Sequence, residues 1–309
     1  MSPIRIAVVG LGKIARDRHL AAIRNNDSLS LVATVSLDGA GLEDTAHFES
    51  LDALQAGGPP FDAIVLCTPP QVRFALASQA ILAGKHVFLE KPPGATLSEV
   101  FALEQLALAS RVSLLASWHS RFAGGVEPAR NWLSQRRITH AEVIWREDVR
   151  IWHPGQAWIW QPGGLGVFDP GINALSIMTS IIPGPLRLVE AQLQVPENRA
   201  MPIAADLRLE GPAGVKVSVD LDFRQRGQQN WDIIIHTDDG LLQLTAGGSD
   251  LSLPSGRQQY VDGEYEALYA HFAILVRAGE SDVDAAPLRL VADAFLLGER
   301  RIVEPFHEA

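Results

Sequence analysis

Short, continuous apolar runs recur through the first 120 residues, at positions 4–9, 29–36, 63–67, 86–89 and 112–116. Between several of them lie stretches of helical texture, at 13–25, 71–83 and 97–109. A strand buried on both faces shows no polar alternation. Apolar strands joined by helical crossovers therefore predict a parallel sheet covered on both sides. Gly84 is placed as a helix C-terminus and Gly94 as a turn. Residues 1–120 read as a doubly wound α/β nucleotide-binding domain.

The pattern changes near residue 120. A helix over 126–135 leads into longer, more polar strands. The clearest is 215–223, Val-Lys-Val-Ser-Val-Asp-Leu-Asp-Phe, whose strict alternation predicts one buried face and one wet or paired face. Strands at 232–237 and 241–245 flank Asp238-Asp239-Gly240, which has the chemistry of a hairpin turn. Helices at 265–278 and 288–300 follow. Residues 121–309 are expected to form an α+β domain with an antiparallel sheet, the C-terminal helix being a candidate to pack back on the first domain.

Composition narrows the class. A chain of 309 residues, 47% hydrophobic, can bury a large core and suggests two domains. A formal net charge of −10 without a basic run argues against nucleic acid or an anionic membrane as partner. The single cysteine, Cys67, excludes a disulfide framework and fits a reducing cytoplasm. Met1-Ser2-Pro3-Ile4-Arg5 runs straight into the first strand, so no signal peptide is expected. No apolar run approaches the roughly 20 residues of a membrane helix. A soluble, cytoplasmic protein is the expectation.

The candidate chemistry starts at Gly10-Leu11-Gly12-Lys13-Ile14-Ala15, after the first strand. Gly10 permits a tight strand-to-helix turn and Gly12 lets backbone approach a pyrophosphate. Ala15 lets the helix pack close, so that its N-terminus, at Lys13 and Ile14, faces the phosphates. The second strand ends in Ser36-Leu37-Asp38, where a lone acid would favour NAD and a small residue with a nearby Arg would admit NADP. Ser36 admits a phosphate, Leu37 brings no charge and Asp38 sits late, so both cofactors stay open. Cys67-Thr68-Pro69-Pro70 ends the next strand at the same edge. Thr68 and Pro69 are candidates to contact the nicotinamide half, and Cys67 reads as a buried strand residue there. The segment His86-Val87-Phe88-Leu89-Glu90-Lys91-Pro92-Pro93 then delivers Glu90 and a lysine to the carboxyl end of a strand, where open α/β sheets bind ligands.

The motifs Gly10-x-Gly12-x-x-Ala15, Thr68-Pro69, Glu90-Lys91-Pro92 and Gly163-Gly164-Leu165-Gly166-Val167-Phe168-Asp169-Pro170-Gly171-Ile172-Asn173 occur in that order. With them the chain resembles the Gfo/Idh/MocA oxidoreductase family over essentially its whole length. Within that family it is most similar to the bacterial branch acting at C1 of L-arabinose and D-galactose. The segments that carry this closer likeness are Glu90-Lys91-Pro92-Pro93-Gly94, Trp152-His153-Pro154-Gly155-Gln156 and Phe168-Asp169-Pro170-Gly171-Ile172-Asn173. The resemblance implies a Rossmann domain and a substrate domain with a large open, mostly antiparallel sheet. It also implies oxidation of a sugar hydroxyl, here to the lactone, with NAD or NADP. The open sheet face is then a candidate surface for a homo-oligomer.

Residue chemistry bears on the same positions. Asp169 is placed as an N-cap with Pro170 as the first helical residue, and capping alone competes with catalysis there. Asn173, four residues on, shares its helix face. The Gly163-Gly164-Leu165-Gly166 loop would let backbone approach a ligand. Polyol and inositol members of the family usually carry His where this chain has Asn173, and an amide cannot accept a proton. The proton then passes to Asp169, Lys91, His153 or a water they hold. Trp145, Trp152, Trp158 and Trp160 suit the apolar faces of a pyranose or, alternatively, pack a domain interface. Glu147 and His153 lie among them, and His119 leaves the last strand of the first domain beside Arg121, read as a structural ion-pair residue. Lys91, Asp169 and Asn173 are thus the catalytic candidates, and His119, Glu147, Trp152 and His153 the substrate-binding ones. The nine histidines show no H-x-x-x-H spacing and no metal is expected; nor is there a G-x-S-x-G elbow. The rival readings are a dehydrogenase of another polyol, an inositol or a cyclic diol, and a non-catalytic NAD(P)-sensing regulator.

Overall fold

The computed structural model describes residues 2–37, 39 and 41–308, so the expectation for Asp38 lies outside the described residues. The chain divides into two compact units, one of Met1–Trp118 with Tyr265–Asp284, the other of His119–Glu264 with Ala285–Ala309.

The first unit is built on β1 (Ile4–Val9), β2 (Leu29–Val35), β3 (Ala46–Phe48), β4 (Ala63–Leu66), β5 (His86–Glu90) and β6 (Leu114–Ser117). All pair in parallel, in the order β3-β2-β1-β4-β5-β6. The strand order reverses between β1 and β4, the switch point at which such sheets bind nucleotides. Ile64, Leu66, Val87 and Leu89 are fully buried, which is why these strands read as unbroken apolar runs. The helix Leu97–Ser110 starts at a capping box: the Thr96 hydroxyl accepts from the Glu99 N–H at 3.2 Å, and the Glu99 carboxylate accepts from the Thr96 N–H at 3.3 Å. The stretch expected as one helix over 13–25 instead contains a π-helical turn, Ala15–His19, before Leu20–Arg24.

The second unit holds β7 (Ile138–Arg146), β8 (Arg187–Pro196), β9 (Ala204–Glu210), β10 (Lys216–Asp222), β11 (Asn230–Thr237), β12 (Gly240–Thr245), β13 (Asp250–Leu253), β14 (Gly256–Gln259) and β15 (Glu299–Val303). They form one sheet in the order β14-β13-β12-β11-β7-β10-β9-β8-β15. It is antiparallel except for the β7–β10 and β8–β15 pairs. On β10, Val217, Val219 and Leu221 are buried, as its alternation predicts. The helix Phe168–Ile181 lies on that buried face: a Cβ added to Gly171 would come within 2.5 Å of the Leu221 side chain. Among the described residues no helix is long and apolar enough to cross a membrane.

Candidate active site

Because β1 to β6 are parallel, their carboxyl ends share one edge, and the loops there carry Gly10, Ser36, Cys67-Thr68 and Lys91. Gly10 has φ +90°, and a Cβ there would stand 3.0 Å from the Cys67 carbonyl carbon and the Thr68 nitrogen. Only glycine fits that crossing of backbones. Gly12 has no atom within 4 Å of where its Cβ would be, so the approach to the helix that begins at Lys13 and Ile14 is open. The Lys13 ammonium pairs with Asp17 one turn on. The Thr68 hydroxyl is buried and has no hydrogen-bond partner among the described residues. Ser36 N–H donates to Phe48 O at 3.1 Å, while Leu37 is 95% exposed.

Beneath this edge lies a polar network that the sequence reading did not anticipate. Arg73, on the helix Pro70–Leu82, is 2% exposed, and its guanidinium donates to the backbone carbonyls of Thr68, Glu90 and Pro92. One side chain thus ties the Thr68-Pro69 loop to the loop that carries Lys91. The Glu90 side chain is buried. Ser117 Oγ donates to it at 2.6 Å and Tyr265 Oη at 3.2 Å, and His19 Nε2 lies 3.5 Å away. His19 Nδ1 is 2.7 Å from Tyr269 Oη. Burial disfavours the charged imidazole of His19, but the Cys67 sulfur and the Glu90 carboxylate outweigh it and push His19 up to about 10. Burial first, then Cys67 and Glu90, raise the Tyr269 phenol. The one sequence signal was that Arg73 is the lone charged residue of the helix Pro70–Leu82.

In the second unit, three predicted residues come together. Glu147 follows β7 and is buried; His153 caps the short helix Val149–Trp152; Asp169 is buried on the helix Phe168–Ile181. His153 Nε2–H donates to Glu147 Oε1 at 3.0 Å, and His153 Nδ1 lies 3.6 Å from Asp169 Oδ2 and 3.3 Å from Gln156 Oε1. The other Glu147 oxygen accepts from Trp231 Nε1–H at 3.0 Å. Trp152 meets the Trp231 ring edge-on at 5.0 Å and is 43% exposed. The Asn173 amide oxygen is buried without a hydrogen-bond partner among the described residues. His119 Nδ1 is held by Glu264 at 2.5 Å, and Arg121 donates to Ser176 O and Thr179 Oγ1.

One local expectation is corrected. Asp169 is not the N-cap: the helix begins at Phe168 with Val167 as its cap, because Gly166, at φ +54°, turns the chain into the helix early. The Asp169 carboxylate is thereby available to His153. Two glycines of the 163–166 loop pack closely against the chain. A Cβ on Gly164 would meet Trp158 O at 2.3 Å, and one on Gly166 would meet Pro202 O at 2.3 Å.

Residues 4–116 match the Gfo/Idh/MocA profile, an oxidoreductase family with an NAD-binding Rossmann fold. Over its full length the chain is 47% identical to the galactose 1-dehydrogenase of Pseudomonas fluorescens, covering all of both proteins. The chain belongs to the Gfo/Idh/MocA oxidoreductase family. A crystal structure of a D-galactose-1-dehydrogenase from Rhizobium etli matches it with a TM-score of 0.95 at 53% identity, covering 99% of each chain. KijD10, a 3-ketoreductase from Actinomadura kijaniata crystallised with NADP, shares the fold at a TM-score of 0.85 and 18% identity, over 97% of this chain and 99% of its own.

As a Gfo/Idh/MocA member the chain takes NAD(P) as cofactor. The residues present fit that group. Gly10 and Gly12 leave backbone and the helix start accessible to a pyrophosphate, and the orphaned Thr68 hydroxyl offers a buried polar atom at the same edge.

Proposed function

We propose that this Gfo/Idh/MocA enzyme is an NAD(P)-dependent aldose 1-dehydrogenase that oxidises C1 of D-galactose and L-arabinose pyranoses to the sugar lactone. Full-length kinship with two galactose 1-dehydrogenases supports the reaction. The observation that carries the mechanism is the set Glu147–His153–Asp169, both carboxylates buried, with the Asn173 amide oxygen, unpartnered among the described residues, on the Asp169 helix face. Oxidation removes C1–H with its electron pair and the O1–H proton, leaving C1=O. When bound, the nicotinamide accepts the hydride.

Lys91 would hydrogen-bond O1 and stabilise the negative charge that develops there. Asp169 would take the proton, directly or through Lys91, and the Asn173 amide would orient the hydroxyl. His153, between two carboxylates, offers Asp169 a route for passing that proton on. General base help of this kind is worth roughly 10²–10⁴-fold. Both Glu147 oxygens already have donors, so we assign Glu147 to fixing His153 rather than to a sugar hydroxyl. Trp152 would offer its exposed ring to the pyranose and His119 a hydrogen bond to it. Gly10, Gly12, Lys13, Ile14, Ser36, Leu37, Cys67, Thr68, Pro69 and the Glu90-Lys91 backbone form the proposed cofactor lining. L-Arabinose and D-galactose share ring stereochemistry and differ by the exocyclic CH₂OH, so a pocket open at C5 would accept both.

Initial rates at 340 nm on D-galactose, L-arabinose, D-glucose and myo-inositol, with NAD and with NADP, test this. Turnover of the first two well above the others is expected. Oxidation of myo-inositol alone would move the assignment to a polyol dehydrogenase, and tight nucleotide binding without turnover of any sugar would make the protein a sensor.

A further inference from the structure

We propose that His140, Glu142 and His236 form a divalent-metal site, of the Zn²⁺ class, on the open face of the second unit's sheet, where it would clip β7 to β11. His140 and His236 are register partners across these antiparallel strands, and their rings stack at 3.9 Å between centroids and 14° between planes. Glu142 lies two residues along β7, on the same face as His140, while the intervening Ala141 is buried. Both imidazoles address one oxygen: Glu142 Oε1 is 3.8 Å from His140 Nε2 and 3.9 Å from His236 Nε2. Those separations are too long for hydrogen bonds. They are close to what a shared ion would impose. Ligands on a tetrahedral Zn²⁺ at about 2.0–2.1 Å stand roughly 3.3–3.4 Å apart, so closing the set brings each imidazole about half an ångström nearer Glu142 and turns the two half-exposed rings out of their parallel stack until both in-plane Nε2 lone pairs converge on the ion.

The backbone prepares the donors. The β7–β11 register shifts between His236 and Thr237, where Thr237 pairs with Ile138 and Thr139 is the extra residue of a bulge. The Thr139 hydroxyl donates to His236 O at 3.1 Å and lies 3.3 Å from His140 Nδ1. A hydroxyl has one proton, and here it is already given to a carbonyl. Toward His140 it can only accept, which places that ring's proton on Nδ1 and leaves the Nε2 lone pair facing Glu142. Two imidazoles and one carboxylate make a donor set suited to Zn²⁺, with a fourth position left for water. The neighbouring strands place Lys216 beside His140 and Ser218 beside Glu142, and the Lys216 ammonium is paired with Glu210 at 2.8 Å. No spacing rule could show this set, because its ligands come from two strands almost a hundred residues apart.

The test is calorimetric titration of the full-length, EDTA-stripped protein with ZnCl₂, repeated on His236→Gln, on the His140→Gln/His236→Gln double variant and on His307→Gln as a control. Metal-free thermal melts establish that each variant is folded. We expect one saturable site in the wild type, weakened by about tenfold or more in His236→Gln, abolished in the double variant and unchanged in His307→Gln. Zn²⁺ should raise the melting temperature of the wild type but not of the folded double variant. Absence of saturable binding, or equal binding by the folded double variant, overturns the proposal. Sugar oxidation by metal-free protein should be the same in wild type and His236→Gln.

Discussion

Arg73 is where fold and candidate chemistry are most tightly coupled. Its buried guanidinium is the shared donor for the carbonyls of Thr68, Glu90 and Pro92, and so joins two loops of the proposed cofactor lining. Arg73→Met keeps most of the volume and removes every donor. Each buried carbonyl left without a partner costs about 1–3 kcal/mol. Relief of the guanidinium's own desolvation and entry of water offset part of that sum, so a net loss of about 3–5 kcal/mol is expected, typical of a broken buried network. Arg73→Lys retains the charge but reaches fewer of the three carbonyls, and should lose about half as much. Urea unfolding gives the stability, and fluorescence titration with NAD(P)H gives the affinity. Both variants should bind nucleotide more weakly, and turnover should fall by about 10²-fold if the Lys91 loop shifts by an ångström. Arg73→Met within about 0.5 kcal/mol of wild type, with unchanged nucleotide affinity, would refute the bracing role.

Three further outcomes follow from the same geometry. Lys91→Met and Asp169→Asn should remain folded and bind NAD(P) while losing roughly 10²–10⁴-fold in kcat; near-wild-type turnover in both would sink their assigned roles. Glu147→Gln should lower kcat more than it changes KM, since it loosens His153 while leaving an amide oxygen for Trp231; a change in KM alone would mean that Glu147 binds sugar directly. His19 is held charged up to about pH 10 against an unfolded value near 6.5, so its contribution is fully present below about pH 6.5 and fades as pH rises toward 10. Melting temperatures from pH 6 to 10 should decline more steeply for wild type than for His19→Gln, and parallel slopes would contradict a buried His19 held charged by Cys67 and Glu90.

What the sequence disclosed, and what it hid, have physical reasons. The central strands β1, β4 and β5 are buried on both faces, so their apolar runs stand out, and β10 alternates because one face is covered. β3 is three residues long and the helix Leu51–Gly57 buries only Leu51 and Leu54, too little periodicity to register. The site residues were legible as motifs but not as contacts. Nothing in the spacing from Glu147 to His153 to Asp169 says that the imidazole sits between the two carboxylates. Asp169 looked like a cap because its Asp-Pro pair fits one, while the backbone at Gly166 decided otherwise. Arg73 stood out only as a lone charge and His19 not at all, because a buried charge is recognisable only from its partners, here three carbonyls from two loops for Arg73 and Cys67 with Glu90 for His19.

The central claim is that the hydride comes from C1 of an aldopyranose. The most direct measurement is turnover of D-galactose deuterated at C1, with the reduced nicotinamide recovered and its deuterium located by NMR. The account predicts one deuterium at C4 of the nicotinamide, with D-galactonolactone as the first product and slower turnover than with unlabelled sugar where C–H cleavage limits the rate. Reduced cofactor carrying no deuterium, with oxidation at another carbon of the sugar, would contradict it.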